Sequence, residues 1–90
     1  MRFTWSDKKA ARNIAKHGVS FDEAATVFAD PLAMVVEDVL HVGRALMIGQ
    51  SNRHRVLLAV YTELDDETVR IISARRATSH ERRNYEEGKS

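Results

Sequence analysis

Apolar and polar residues alternate over Met1–Trp5, which predicts a short strand. From Lys8 to Lys16 the period lengthens to that of a helix, with Ser6 or Asp7 as its cap and Gly18 as the residue that ends it. Its apolar stripe is Ala10, Ala11, Ile14 and Ala15, small enough to let the helix approach a sheet closely. Lys9, Asn13, Lys16 and His17 share the opposite face, being three or four residues apart. A second helix begins where Ser20 and Glu23 match a capping box. Phe21, Ala24, Ala25 and Phe28 follow at core-facing spacing, and Asp30-Pro31 stops the helix because the residue before a proline is driven out of the helical region.

Beyond Leu32 the texture becomes that of strands: Ala33–Glu37, Ala45–Gln50, Arg55–Glu63 and Thr68–Arg76. His41–Arg44 and Ser51–His54 read as connections, and Asp65-Asp66 as a hairpin turn. The run from Arg55 is apolar on both faces, as expected of a central strand, and the short links favour antiparallel neighbours. Thr78 and Glu81 form another capping-box match and open a last, charged helix through Tyr85, with a frayed end at 88–90. The pattern predicts an α+β class and a single domain over residues 1–90. Two N-terminal helices pack on one face of a mostly antiparallel, four- to five-stranded sheet, and a C-terminal helix follows.

Composition narrows the function. The 90 residues contain no cysteine, so neither disulfides nor thiolate metal sites support the fold. No apolar run approaches the roughly 20 residues needed to span a bilayer, and no signal-peptide pattern opens the chain, so a cytoplasmic protein is expected. The net charge of +1 conceals a partition. Residues 1–20 sum to +4, residues 21–40 to −5 with no lysine or arginine, and residues 67–90 to +2. If the two basic ends meet, they create a local positive field.

The candidate chemistry lies in those ends. Five arginines between Arg70 and Arg83 face a single acid, Glu81. Solvated strand ends and surface salt links compete with an anion site as explanations for each arginine, but the cluster favours anion binding. His17 sits beside a helix C-terminus, as a proton-transfer group, a phosphate contact or a simple carbonyl cap. Trp5 suits core or interface packing better than base stacking, and Tyr85 suits simple packing as well as it suits acid–base work or a stacking platform. The other histidines lack a recurring ligand spacing, so no metal site is expected. No nucleophilic triad or glycine-rich phosphate loop is recognisable. What remains is Lys9, Asn13, Lys16 and His17 with Arg75, Arg76, Arg82 and Tyr85, an inventory suited to a phosphodiester backbone. Cutting RNA asks for a base at the 2′-hydroxyl, cations at phosphorus and an acid for the leaving oxygen, without a metal or other cofactor.

Two blocks of the chain resemble a known family. Trp5 with Lys9 and Asn13, then Lys-His-Gly-Val-Ser-Phe-x-Glu-Ala from Lys16, Asp30-Pro31, and Ile-Ile-Ser-Ala-Arg-Arg-Ala-Thr…Glu-Arg-Arg-x-Tyr-Glu from Ile71 are similar to the BrnT toxins of bacterial type II toxin–antitoxin systems. Val39–Arg55 is the loosest part, and Ser6 stands where relatives carry an aspartate. The resemblance implies a RelE-like fold and a metal-independent endoribonuclease that arrests translation by cutting free or ribosome-bound RNA. It further implies a BrnA-like ribbon-helix-helix antitoxin, a two-plus-two heterotetramer, and operator DNA contact only through that antitoxin. Carried over by position, it implies a catalytic set of His17, Arg75, Arg76, Glu81 and Tyr85. Arg75 and Arg76 would face phosphate, Glu81 or His17 would be the base, and Tyr85 or a cation the acid. Substrate contacts would come from Lys9, Asn13, Lys16 and Arg82. The competing expectation is a non-catalytic module that binds antitoxin or nucleic acid. The nuclease reading expects the opening helix and the terminal arginines to meet around a shared hollow.

Overall fold

The computed structural model describes residues 1–88. Its elements are β1 (Arg2–Thr4), α1 (Asp7–His17), α2 (Phe21–Thr26), a 3₁₀ turn (Val27–Ala29), β2 (Met34–Glu37), β3 (Ala45–Gln50), β4 (Val56–Asp65), β5 (Thr68–Arg76) and α3 (Ser79–Gly88). The frayed end expected at 88–90 falls partly in α3, at Gly88, and otherwise outside the described residues.

The strands form one five-stranded sheet in the order β1-β5-β4-β3-β2. β4, the strand with apolar residues on both faces, is central, as its pattern requires. The sheet is mixed. β2–β3, β3–β4 and β4–β5 pair antiparallel, whereas β1 pairs parallel with β5 from Arg2↔Thr68 to Thr4↔Arg70. Parallel pairing is available here because α1, α2 and three strands lie between β1 and β5 in the chain, enough for a crossover. A bulge at Ile72, between the Tyr61↔Ile71 and Val60↔Ser73 pairs, resets which β5 side chains face which layer.

Two apolar clusters flank the sheet. One joins Val19, Phe21, Ala24 and Val27 to Leu57, Ile71 and Ala74. The other joins Ile48 and Leu58 to Tyr85 of α3. Helices therefore cover both faces of the sheet.

The caps follow their sequence signatures. Ser6 accepts the Lys9 amide, Ser20 accepts the Glu23 amide, and Gly18 ends α1 at φ 68°, in the left-handed region. At the second cap the match is half kept. The Glu23 carboxylate turns away from the helix start to Arg55 and Ser51, because a buried carboxylate gains more from a guanidinium than from one amide. After Thr26 the helix tightens to 3₁₀, which buries Val27 completely and leaves Phe28 partly exposed.

The expected apolar stripe of α1 does not face the sheet as a whole. Ala10 packs on the first cluster, but Ile14 is 52% exposed, and Ala11 and Ala15 are exposed with it. The helix is turned so that Asn13 faces inward. The Asn13 amide donates to the carbonyls of Val19 and Ala74, at 2.8 Å each, and its oxygen accepts the Ala74 N–H at 3.1 Å. β1 leaves β5 after Arg70, so the Ala74 backbone has no strand neighbour on that side. Asn13 supplies the missing donor and acceptor, and that requirement overrides the apolar pattern.

Candidate functional site

The capping box at the start of α3 is reciprocal. Thr78 Oγ1 accepts the Glu81 amide at 3.1 Å, and Glu81 Oε1 accepts the Thr78 amide at 2.8 Å. The same carboxylate takes both ends of the Arg75 guanidinium, Nη1 at 2.8 Å and Nη2 at 3.0 Å. Arg75, opposite Leu58 in the register, thereby ties the sheet to the first turn of α3. The Arg75 hydrogen bonds, reinforced by those from Thr78, hold the Glu81 carboxyl down at about 2. A carboxylate that acidic, with both oxygens engaged, is a weak proton acceptor.

Tyr85 is also committed to the fold. Its ring belongs to the second cluster, and its hydroxyl donates to Asp30 Oδ2 at 2.5 Å. Burial, then the bond to Asp30 and that carboxylate's charge, push the hydroxyl up to about 12. Asp30 also accepts the Gln50 amide at 2.8 Å and the Leu32 amide at 2.9 Å. The sequence marked Asp30 only as a helix stop. In the structure it closes its own turn at Leu32 and ties that turn to two distant segments, β3 and α3.

Two hollows hold the remaining candidate site residues. A hollow of about 390 Å³ is lined by Arg76, Arg82 and Tyr85 together with Gln50, His54 and Arg55. A shallower one of about 190 Å³ is lined by Lys9, Arg12, Asn13, Lys16 and His17 against Ile72 and Ser73 of β5. The two share no residue. The opening helix and the terminal arginines therefore meet along β5 but do not enclose one common space, in contrast to the sequence expectation. The cause is the orientation of α1, which Asn13 sets along the open edge of β5. Asn13 was itself expected to contact substrate. It lines the shallower hollow, but at 6% exposure it uses its donors and acceptor on the backbone. Its work is structural.

Sequence reasoning missed several neighbours of these hollows. Arg55 donates to Glu23 through Nε at 2.9 Å and Nη2, and to the Gly18 carbonyl at 3.3 Å, which pins the corner between α1 and α2. The Arg55 hydrogen bond pulls Glu23 below its ordinary value. No local signal linked positions so distant in the chain. His54 was read only as turn chemistry, yet it lines the larger hollow with φ 62°, a left-handed conformation uncommon for a residue with a side chain.

A family model described as the ribonuclease toxin BrnT of type II toxin–antitoxin systems matches residues 5–81. The chain belongs to this family. Among solved structures, it is similar to the ribonuclease toxin BrnT of Brucella abortus, with a TM-score of 0.72 and 26% identity. That likeness covers 88% of this chain and 99% of the Brucella one. The search of curated proteins gives no match. The family span takes in Trp5, the whole of α1 and the Arg75–Glu81 clamp, and stops one residue before Arg82.

Proposed function

We propose that this BrnT-family chain is the toxin of a type II toxin–antitoxin pair. In this reading it is a RelE-like endoribonuclease that cuts RNA in the cytoplasm without a metal and arrests translation. It is held in check by a BrnA-like ribbon-helix-helix antitoxin in a two-plus-two heterotetramer, and operator DNA is contacted only through that antitoxin. The observation that carries the nuclease reading is the pair of cationic hollows flanking the C-terminal half of β5 in a ribonuclease-toxin family member. From Ser73 to Arg76 is roughly 10 Å at about 3.3 Å per residue, so an RNA strand rather than a lone phosphate would engage both.

The geometry favours a division of labour. The α1 hollow takes the scissile link. His17 accepts the 2′-hydroxyl proton, the 2′ oxygen forms its bond to phosphorus, and the bond from phosphorus to the 5′ oxygen breaks. Lys9 and Lys16 face the charge that develops there, and one of them or a water returns a proton to the 5′ oxygen. Arg76 and Arg82 hold a neighbouring phosphate in the larger hollow. Arg75, Glu81 and Tyr85 then act as positioning residues that set where α3 lies. The products are a 2′,3′-cyclic phosphate and a 5′-hydroxyl.

The test is cleavage of free RNA and of RNA on translating ribosomes by purified protein. His17→Ala is expected to lower kcat by about 100-fold or more, whereas Arg76→Ala chiefly raises KM. Equal kcat for wild type and His17→Ala would remove the imidazole from the mechanism. The engagement of Glu81 and Tyr85 in structural bonds favours one other reading, a module that binds RNA or antitoxin without cutting. RNA bound but intact in both assays would establish that reading instead.

A further inference from the structure

We propose that Gln50 and His54 read one nucleobase of the RNA, in a third hollow that adjoins the hollow of Arg76 and Arg82. This deepens the nuclease reading above and rests on its RNA substrate. The third hollow has a volume of about 520 Å³ and lies between the 3₁₀ turn, at Ala29, and the turn from β3 to β4, at Asn52. Gln50 and His54 line both hollows, and among the described residues no other is common to the two. The chemistry changes across this divide. On one side Arg76 and Arg82 offer guanidinium groups, which suit phosphate. On the other, no described lining residue is a lysine or arginine, and carbon atoms make up most of the wall. A nucleotide has the same two parts side by side: an anionic phosphate and, one sugar away, a flat ring system with polar edges.

The shared side chains match a base. Unpaired RNA is recognised by stacking its bases on aromatic rings and by hydrogen bonds to their edges. His54 supplies a ring, and Gln50 supplies an amide with a donor and an acceptor in one plane. Among the described residues neither the Gln50 amide group nor the His54 ring has a hydrogen-bond partner. Both are open to a ligand. The backbone that carries them is held from the inner side. The Gln50 N–H donates to Asp30 Oδ2, and the Asn52 N–H donates to Thr26 Oγ1 at 2.9 Å. Ser51, buried between them, donates its hydroxyl to Glu23 Oε2 at 2.7 Å and its N–H to the Arg55 carbonyl at 2.8 Å. The His54 N–H closes the turn on the Ser51 carbonyl at 3.0 Å, with His54 at φ 62°. A turn bound at so many points presents His54 as part of the scaffold, which lowers the ordering cost of binding.

Two measurements on purified full-length protein check this. Fragments cut from a random RNA pool are sequenced at their ends, and affinity is measured for uncleavable 2′-O-methyl homopolymers of each base. The wild-type protein is expected to favour one base at a position flanking the cut and to bind that homopolymer most tightly. Gln50→Ala is expected to reduce the preference by about tenfold. Gln50→Glu keeps the shape but loses the donor, and is expected to move the preference towards cytosine. His54→Gly suits the left-handed backbone and removes the ring, so it is expected to weaken all four homopolymers alike. Arg76→Ala lowers affinity without changing the preference. A wild-type protein without base preference, a Gln50→Ala variant that keeps it, or homopolymer binding untouched by His54→Gly would each overturn the proposal. Homopolymers bound selectively through Gln50 while RNA stays uncut would uphold this site and overturn the nuclease reading, so the two failures are distinguishable.

Discussion

Asn13 gives its amide hydrogens to Val19 and Ala74 and accepts the Ala74 N–H, all where water is excluded. Asn13→Ala leaves those backbone groups unpaired and is expected to reduce unfolding stability in urea by about 2–4 kcal/mol. Glu81 makes a different prediction. Its carboxyl sits at about 2 against an ordinary 4.5, so the Arg75–Glu81 clamp stabilises the fold fully above pH 4.5. That contribution drains away as pH falls through about 2, because the unfolded chain binds the proton first. Arg75 is partly solvated, so the contribution is about 1–2 kcal/mol after allowance for screening. Glu81→Gln is expected to flatten the acid limb of a stability-against-pH curve by that amount, and an unchanged limb would show that another group controls it.

At the level of elements, Gly49 of β3 lets the 3₁₀ turn sit directly on the sheet. A Cβ built there would come within 2.9 Å of both Ala33 Cβ and Val27 Cγ1 and 3.2 Å from Asp30 Oδ2. Gly49→Ala is therefore expected to cost about 1–3 kcal/mol in thermal or urea unfolding. Most elements were legible in the chain because their signals are local. Ser6, Ser20 and Thr78 mark helix starts, Gly18 and Asp30-Pro31 mark stops, and the bounds of β3 and β5 match the apolar runs at Ala45–Gln50 and Thr68–Arg76. What the sequence hid depends on contacts between distant positions. The parallel β1–β5 pairing, the Glu23–Arg55 corner and the inward turn of Asn13 each join segments more than 30 residues apart in the chain. The site was half legible for the same reason. Its cations were identifiable by type and spacing, but their division between two hollows follows from how α1 meets the edge of β5.

Across the whole molecule, the cations of the two hollows gather on α1 and at the C-terminal end of β5, while Glu63, Asp65 and Asp66 gather at the other end of that strand, around the β4–β5 turn. α3 belongs to the cationic side, and the phenol of Tyr85 bonded to Asp30 joins it to a position 55 residues earlier. Tyr85→Phe keeps the ring in its cluster and removes that one bond. Amides of α3 are then expected to exchange with deuterium faster while those of β4 keep their protection, and uniform acceleration throughout the chain would show a single cooperative unit. Where α3 loosens ahead of the sheet, Arg82 goes with it, and in the proposed reading the grip on RNA weakens while His17 keeps its place on α1.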